Sequence, residues 1–147
     1  MEYSPMEHAH RLMQVYEEKS RQVSREFGFS QTAFDILMFL ANNPEYHTAR
    51  DIVQVRLIRA NLVSVNVEKL VEEGYLVRTR IPGDRRKVGL YLTEKADPVI
   101  ERGRAFQQGF FADLAKGISD EDLECLRRML EKAEENLENM TGQEDIL

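Results

Sequence analysis

The sequence predicts a mainly α-helical fold that includes one small β-hairpin. Six segments place apolar residues three or four positions apart, which is the spacing of one helix face. Two β-rich runs, residues 75–81 and 88–92, flank a loop that begins with the turn signal Pro82-Gly83 and carries residues 84–87 at its tip, a pattern typical of a hairpin. The length of 147 residues favours one domain, and a single fold with two lobes is the alternative.

The charge of the chain is unevenly distributed. The net charge is −6, yet residues 46–95 hold ten Lys or Arg and six Asp or Glu, which gives +4. Of the 20 basic and 26 acidic residues, ten and twenty remain elsewhere, which gives −10. A basic middle between acidic ends is expected when only one lobe contacts a polyanion.

The composition argues against several classes of protein. The single Cys125 excludes an intrachain disulfide and fits a reducing compartment. With no run of about 18 apolar residues and no signal-peptide pattern, we expect a cytoplasmic protein without a membrane partner. The sequence has no phosphate-binding glycine loop, metal-ligand cluster or nucleophile motif, so we expect neither an enzyme nor a bound metal or cofactor.

The first two helices are predicted from apolar spacing and from stop signals. Residues 6–27 carry a heptad-like apolar stripe, and Gly28 is a natural residue to end that helix. Ser30 is expected to cap a second helix, which is apolar on more than one face and ends at residues 42–44. A long helix at a chain end is expected to pack against a partner or another long helix.

A third and a fourth helix are expected before the hairpin. Residues 48–51 form a variant of the capping box, so a short helix should run to about Val55. A turn at residues 56–59 leads to a helix over residues 60–73, which Gly74 ends. Two short helices joined by a tight turn and followed by a basic hairpin have the order of a winged helix-turn-helix.

Two further helices complete the chain. Thr93 is expected to cap the fifth helix, Gly117 to end it, and Ser119 to open the sixth. The sixth helix repeats apolar residues at spacings of three and four from Leu123 to Leu137. The first, fifth and sixth helices offer more apolar surface than one winged lobe can cover, so we infer that they form a dimer interface.

This reasoning divides the chain into two lobes. Residues 30–93 are the predicted winged helix-turn-helix lobe that binds DNA. Residues 1–29 and 94–147 are the predicted helical dimerisation lobe, and the two lobes form one intertwined domain. The predicted fold class is therefore mainly α with a small β-hairpin, a winged helix-turn-helix with long dimerisation helices.

The hairpin region carries a specific spacing of residues. Asp84-x-Arg86 is followed by Leu92-Thr93, and Leu70-x3-Gly74 and Arg78 precede it. This pattern after a helix-turn-helix resembles the MarR family of bacterial transcriptional regulators, over residues 30–96 by motif and over the whole chain by helix order. The resemblance implies that Arg86 reaches the minor groove or its phosphates, that Asp84 orients it, and that the terminal helices interdigitate between two subunits.

Two sets of residues are expected to contact DNA. Cations bind phosphates, and the narrow minor groove attracts arginine. The residues assigned to the wing are Arg80, Asp84, Arg85, Arg86 and Lys87. The residues assigned to the recognition helix are Arg59, Asn61, Ser64, Val65 and Lys69.

The recognition helix departs from the family pattern in three places. Val65 lies where MarR-like sequences usually carry a basic or polar residue, and it can touch a thymine methyl but cannot hydrogen-bond to a base. Asn61 and Ser64 are therefore expected to do most of the polar reading. Leu57 falls near a turn where glycine is common, and Arg59 falls where a serine cap is expected, so Asn61 is an alternative cap.

A small-molecule effector pocket between the dimerising helices and the winged lobe is implied by the resemblance. Tyr16, Phe34, Met38 and Phe106 are the candidates to line it, and each also fits an ordinary core position. Some MarR-like regulators sense peroxides through cysteine. For Cys125, beside an apolar stripe, we favour a buried structural role.

The leading interpretation is a MarR-like transcriptional regulator. We expect it to act as a repressor, to bind a pseudo-palindromic operator in double-stranded DNA as a homodimer, and to be released by a small-molecule effector. The alternative is a winged-helix protein-interaction module that has lost sequence-specific DNA binding. Val65 and the acidic remainder of the chain favour that alternative.

Overall fold

The computed structural model describes residues 4–142; residues 1–3 and 143–147 and the side chain of Arg85 lie outside its described part. It confirms the mainly helical fold with one hairpin. The elements are α1 (Pro5–Glu26), α2 (Gln31–Asn42), α3 (Ala49–Val55), α4 (Ala60–Glu72), β1 (Leu76–Ile81), β2 (Asp84–Leu92), a 3₁₀ turn (Glu94–Ala96), α5 (Asp97–Leu114) and α6 (Asp120–Gly142).

Side-chain caps begin α2 and α3, as their sequences predict. The Ser30 hydroxyl accepts a hydrogen bond from the Ala33 N–H at 3.1 Å. In α3, Thr48 Oγ1 accepts from the Asp51 N–H at 3.0 Å, and the Asp51 carboxylate accepts from the Thr48 N–H at 2.9 Å. These reciprocal bonds complete the capping box. Partial burial acts to raise the pKa of the Asp51 carboxyl, but its hydrogen bonds with Thr48 and His47 outweigh burial and lower that pKa.

Two cap assignments from the sequence are wrong. Arg59 occupies the N-cap position of α4 without a side-chain cap bond, so Asn61 lies inside the first turn rather than at the cap. The Thr93 hydroxyl donates to the Gly74 carbonyl at 2.6 Å instead of capping a helix. That bond ties the end of β2 to the end of α4, and α5 begins only at Asp97.

Helix α2 is the centre of the core. Phe34, Ile36 and Leu37 have no exposed surface. Around them pack buried residues from the other α-helices and both strands of residues 4–108, including Val23, Ile52, Val63, Val67, Leu70, Leu76, Leu90 and Val99. Each large side chain buried in this way contributes on the order of 1.5–3 kcal/mol to folding. The winged lobe is therefore built on a rigid scaffold.

The loop of the hairpin is shorter than the sequence predicts. The pairing runs from Leu76↔Leu92 to Arg80↔Val88, then shifts so that Ile81 pairs with Asp84. The turn itself is only Pro82-Gly83, where Gly83 has a φ of 89° that favours glycine. The prediction that residues 84–87 form the loop tip is wrong, because β2 already begins at Asp84.

The contacts within the chain divide it after Gln108 into two compact units. The core lies in the first unit, whereas none of the residues 109–141 of the second is buried. Cys125 is exposed, so the expectation of a buried cysteine is wrong for this chain. The division into a 30–93 lobe and a dimerisation lobe stays a prediction, since it concerns function and a partner subunit. In the stretch from residue 4 to residue 142, no helix has the length and hydrophobicity to cross a membrane.

Candidate nucleic-acid interface

Helix α4 presents one face to the core and the opposite face to solvent. Val63, Val67 and Leu70 are buried, which fixes the rotation of the helix about its axis. At about 100° per residue, Asn61 and Val65 then lie on the outer side. The exposed fraction of Val65 is 68%. All five residues that the sequence assigns to the recognition helix are exposed.

The turn between α3 and α4 is strained at Leu57. Its φ is 61°, in the left-handed region that costs a residue with a Cβ atom roughly 1–2 kcal/mol. The side chain is 82% exposed, so packing within the chain offers little compensation. The sequence had marked this position as one where glycine is common, and the backbone confirms that a glycine conformation is required there.

The wing places exposed cations along β2 and the end of β1. Asp84 Oδ1 accepts a hydrogen bond from the Arg86 N–H at 3.0 Å, which holds the backbone in the irregular stretch after the turn. The side chains of Arg80, Arg86 and Lys87 are exposed. Arg85 lies in β2, with its side chain outside the described part. The Asp84 carboxylate thus positions Arg86 by holding the backbone N–H of Arg86.

An ion pair links the wing to α4. The Arg78 guanidinium lies 3.0 Å from the Glu68 carboxylate, with 41% and 59% of the two side chains exposed. Such an exposed pair contributes at most about 1 kcal/mol, so its main effect is on the orientation of the two elements. The pair also offsets the negative charge of Glu68, which would otherwise repel a phosphate backbone. The sequence identified Arg78 only as part of a motif and did not assign it a partner.

A cleft of about 470 Å³ lies between α3, α4 and the hairpin. Ser64 and Arg78 line it together with Arg50 and Gln54 of α3. Arg50 and Gln54 lie four positions apart and therefore share one face of their helix. The sequence analysis missed both, although that spacing was visible behind the capping box. The structure thus brings polar side chains of three elements to one surface.

The hairpin is also attached to the loop before α3. The Leu90 N–H donates to the His47 carbonyl at 2.6 Å, and the His47 ring stacks on Tyr91 with ring centroids 5.6 Å apart. Leu90 is itself buried in the core. These contacts fix the wing relative to the helix-turn-helix, so the cations of β2 are held at a defined position beside α4.

A second, smaller site lies between α1, α2, α5 and the α3–α4 turn. This cavity has a volume of about 150 Å³, and its lining includes Tyr16, Asp35, Met38, Arg56 and Gln107. Two of the predicted effector-pocket residues, Tyr16 and Met38, line the cavity. Of the other two, Phe106 packs on Tyr16 with ring centroids 5.5 Å apart, and Phe34 is fully buried in the core.

Polar groups dominate this cavity. Gln107 Nε2 donates to the Tyr16 hydroxyl at 2.8 Å, and burial raises the pKa of Tyr16. Asp35 Oδ2 lies 3.5 Å from the Arg56 guanidinium, and the side chain of Asp35 is only 12% exposed. Burial raises the pKa of Asp35 to about 6, against the opposing effects of Arg56 and of the hydrogen bond from Gln31. Sequence reasoning missed this pair, because its members are 21 positions apart.

Comparison with known proteins finds a family match over part of the chain. The MarR family profile matches residues 27–87, from the end of α1 into β2. A Bacillus subtilis (strain 168) protein, the HTH-type transcriptional regulator YkoM, is 28% identical over 123 residues, which cover 84% of this chain and 79% of that protein. By this match the chain is similar to the MarR family of transcriptional regulators over residues 27–87. Its match to the family profile lies on the lobe that carries the exposed face of α4.

Solved structures of MarR proteins share the fold. A MarR transcriptional regulator from Methanosarcina mazei Go1 superposes with a TM-score of 0.74 at 20% identity, covering 91% of this chain and 96% of that one. A MarR-family regulator from Listeria monocytogenes, complexed with a 26mer DNA, superposes with a TM-score of 0.80 at 16% identity, covering 92% of this chain and 90% of that one. At these identities the likeness concerns the fold alone.

Proposed function

We propose that this protein is a MarR-family regulator that binds double-stranded DNA as a homodimer and recognises a pseudo-palindromic operator. The observation that carries the proposal is the joint placement of the exposed face of α4 and the cationic wing on one lobe. That lobe is positive, with a net charge of +4 over residues 46–95 in a chain whose total is −6. A localised positive surface is the electrostatic footprint of a protein that binds a polyanion.

The dimensions of the lobe fit a duplex. Helix α4 has 13 residues and is therefore about 20 Å long, which suits a helix lying in a major groove. The wing cations stand beside it, where they would meet the phosphates or the minor groove. Arg80, Arg86 and Lys87 would contribute the charge-dependent affinity, and Asn61 and Ser64 the hydrogen bonds to base edges.

The homodimer is supported by the unburied terminal helices. In α6, a stripe of apolar side chains is 45–66% exposed: Leu126, Met129, Leu130, Leu137 and Met140. In α1, Met6, Leu12 and Met13 are exposed as well. A helix with an apolar face needs a second surface to cover it, and a two-fold dimer supplies one. Two α4 helices related in this way would enter successive major grooves about 10 base pairs apart.

Repression and release by an effector form the regulatory part of the proposal. A dimer on an operator that overlaps a promoter would exclude polymerase. The cavity at Tyr16 and Asp35 supports an effector site, because it adjoins the α3–α4 turn through Arg56. A volume of about 150 Å³ restricts such an effector to a small polar molecule unless the helices move apart.

The DNA-binding test compares matched cation deletions. The probe is the labelled intergenic duplex upstream of the gene, titrated with wild type, Arg86→Ala and Lys116→Ala at several salt concentrations. Losing two phosphate contacts per dimer should reduce the slope of log K against log salt by about 2 for Arg86→Ala. Lys116→Ala removes the same charge from an exposed turn after α5 and should leave the slope unchanged. Equal slopes for all three proteins would show that the wing does not contact DNA.

A second variant distinguishes recognition of the base sequence from overall affinity for DNA. Asn61→Ala should alter the relative affinities for operator duplexes that differ at single base pairs, while its salt slope stays that of wild type. If Asn61→Ala weakens binding equally for every sequence, the face of α4 has no role in direct readout.

The alternative is a protein-interaction module that has lost DNA readout. The exposed apolar side chains of Leu57 and Val65 favour it, because apolar surface commonly marks protein interfaces. The same titration distinguishes the two. Salt-dependent, sequence-selective binding supports the regulator, and no binding to DNA at low salt supports the interaction module.

A further inference from the structure

The first half of α4 exposes apolar side chains where base edges would lie. Val65 is 68% exposed and Leu62 is 43% exposed. With Asn61 and Lys69 they lie within an arc of about 100° on the outer side of the helix. The core-facing positions are already filled by Val63, Val67 and Leu70, so Leu62 and Val65 are not needed to hold α4 in the fold.

The charged surroundings of these two side chains point to a polyanion as the partner. Arg59, Arg80, Arg86 and Lys87 are exposed on the same lobe, and the Glu68 carboxylate is paired with Arg78. An apolar protein partner would have to desolvate these cations without neutralising them. A DNA duplex would neutralise them through its phosphates and would place base edges against the centre of α4.

The major groove offers only one apolar group to such side chains. Apart from the small C5–H of cytosine, the other groups that a base pair presents there are hydrogen-bond donors or acceptors, whereas thymine carries a methyl group on C5. Valine and leucine have no polar atom on the side chain, so they gain from that methyl group and lose from burying an unpaired donor or acceptor. Asn61, four positions before Val65, has the amide that pairs with adenine.

We infer that Val65 and Leu62 read thymine methyl groups, so that the operator half-site carries T·A or A·T pairs where α4 enters the major groove. This inference rests on the proposed DNA-binding function. Asn61 reads an adjacent adenine in the same half-site. Specificity therefore comes from methyl contacts at the centre of the helix and from one amide near its start, with the wing supplying affinity.

The test begins with a selection of bound sequences from a pool of random 30-base-pair duplexes by the full-length protein. In the selected site, each thymine of one half-site is then replaced by deoxyuridine, which removes only the C5-methyl group. Burial of one such group changes binding about three- to fivefold. We expect that loss at one or two adjacent thymines, with no effect of deoxyuridine in the flanks.

The protein side of the test is a double-mutant cycle. Val65→Ala should bind the thymine site about three- to fivefold more weakly than wild type, and should no longer distinguish thymine from deoxyuridine at the position that Val65 contacts. Leu62→Ala should likewise lose the discrimination at the position that Leu62 contacts. Val77→Ala removes an equally apolar, 43% exposed side chain from β1 and should keep the full discrimination. All three positions are exposed, so circular dichroism is expected to show an unchanged fold for each variant.

Each outcome bears on a different part of the account. Tight, salt-dependent binding that no deoxyuridine substitution weakens would overturn the methyl-reading inference and leave the DNA-binding proposal intact. A selection that enriches no sequence, with no binding at low salt, would overturn both and leave the apolar face as a protein interface. Discrimination that persists at every thymine in both Val65→Ala and Leu62→Ala would assign the reading to another residue and contradict the inference.

Discussion

Replacing Asp35 by asparagine should stabilise this protein at neutral pH. The Asp35 side chain is 12% exposed, whereas that of Arg56, its partner at 3.5 Å, is 28% exposed. Burial is the main cause that raises the pKa of Asp35 from 3.8 to about 6. The ionised carboxylate is therefore less stable in the folded chain than in water, despite Arg56 and the Gln31 amide. Glu17 adds a repulsion in the same direction.

The size of the effect follows from the two pKa values. They differ by about 2, and each pKa unit corresponds to about 1.4 kcal/mol, so ionisation of Asp35 costs the folded state on the order of 3 kcal/mol. A group with a raised pKa in the folded chain contributes its stability below pH 3.8. It loses that stability as the pH rises through about 6. Roughly half of the loss has occurred by pH 5, and nearly all by pH 7.5.

The assay is chemical unfolding at pH 5 and pH 7.5, at one fixed protein concentration because an oligomer's stability depends on it. The free energy of unfolding of Asp35→Asn relative to wild type should increase by about 1–2 kcal/mol between the two pH values. Asp113→Asn removes a carboxylate from an exposed position of α5 and controls for the change in net charge. A difference between Asp35→Asn and wild type that does not vary with pH would refute the reasoning.

Two further predictions concern the turn before α4 and the surface of α6. Leu57→Gly should raise the free energy of unfolding by about 1 kcal/mol in urea titrations, because glycine adopts a φ of 61° without steric cost. Leu62→Gly, inside α4, should instead lower it by a similar amount. For the dimer, Leu130→Glu should shift the mass measured by light scattering toward that of a monomer, whereas Asn139→Glu, on the opposite face of α6, should not. A dimeric Leu130→Glu protein at micromolar concentration would count against the α6 interface.

Local chemistry explains which elements of the fold can be predicted from the sequence. The caps at Ser30 and Thr48 are decided by residues three positions apart, and the hairpin by the Pro82-Gly83 turn. The caps expected at Asn61 and Thr93 are not formed, and for Thr93 the reason is a contact with a distant part of the chain. The Thr93 hydroxyl is already used by the Gly74 carbonyl, 19 positions away.

The candidate interface follows the same distinction. The exposure of the wing cations and the outward position of Val65 could be predicted, because charged side chains beside a turn stay in solvent and the periodicity of one helix fixes its outer face. The Arg78–Glu68 link, the cleft residues Arg50 and Gln54, and the Asp35–Arg56 pair could not, since each requires the packing of separate elements. The start of β2 at Asp84 was missed because pairing continues across an irregular stretch of charged residues.

The most direct test of the central claim is the binding of the unmodified protein to its upstream intergenic DNA at 50 and 200 mM salt. The competitor is a scrambled duplex of the same composition. The account predicts saturable binding that the scrambled duplex displaces poorly. It also predicts a loss of affinity of at least a hundredfold between the two salt concentrations, as expected for several phosphate contacts per dimer. Absence of binding at 50 mM salt, or binding insensitive to salt, would contradict the assignment of α4 and the wing to DNA.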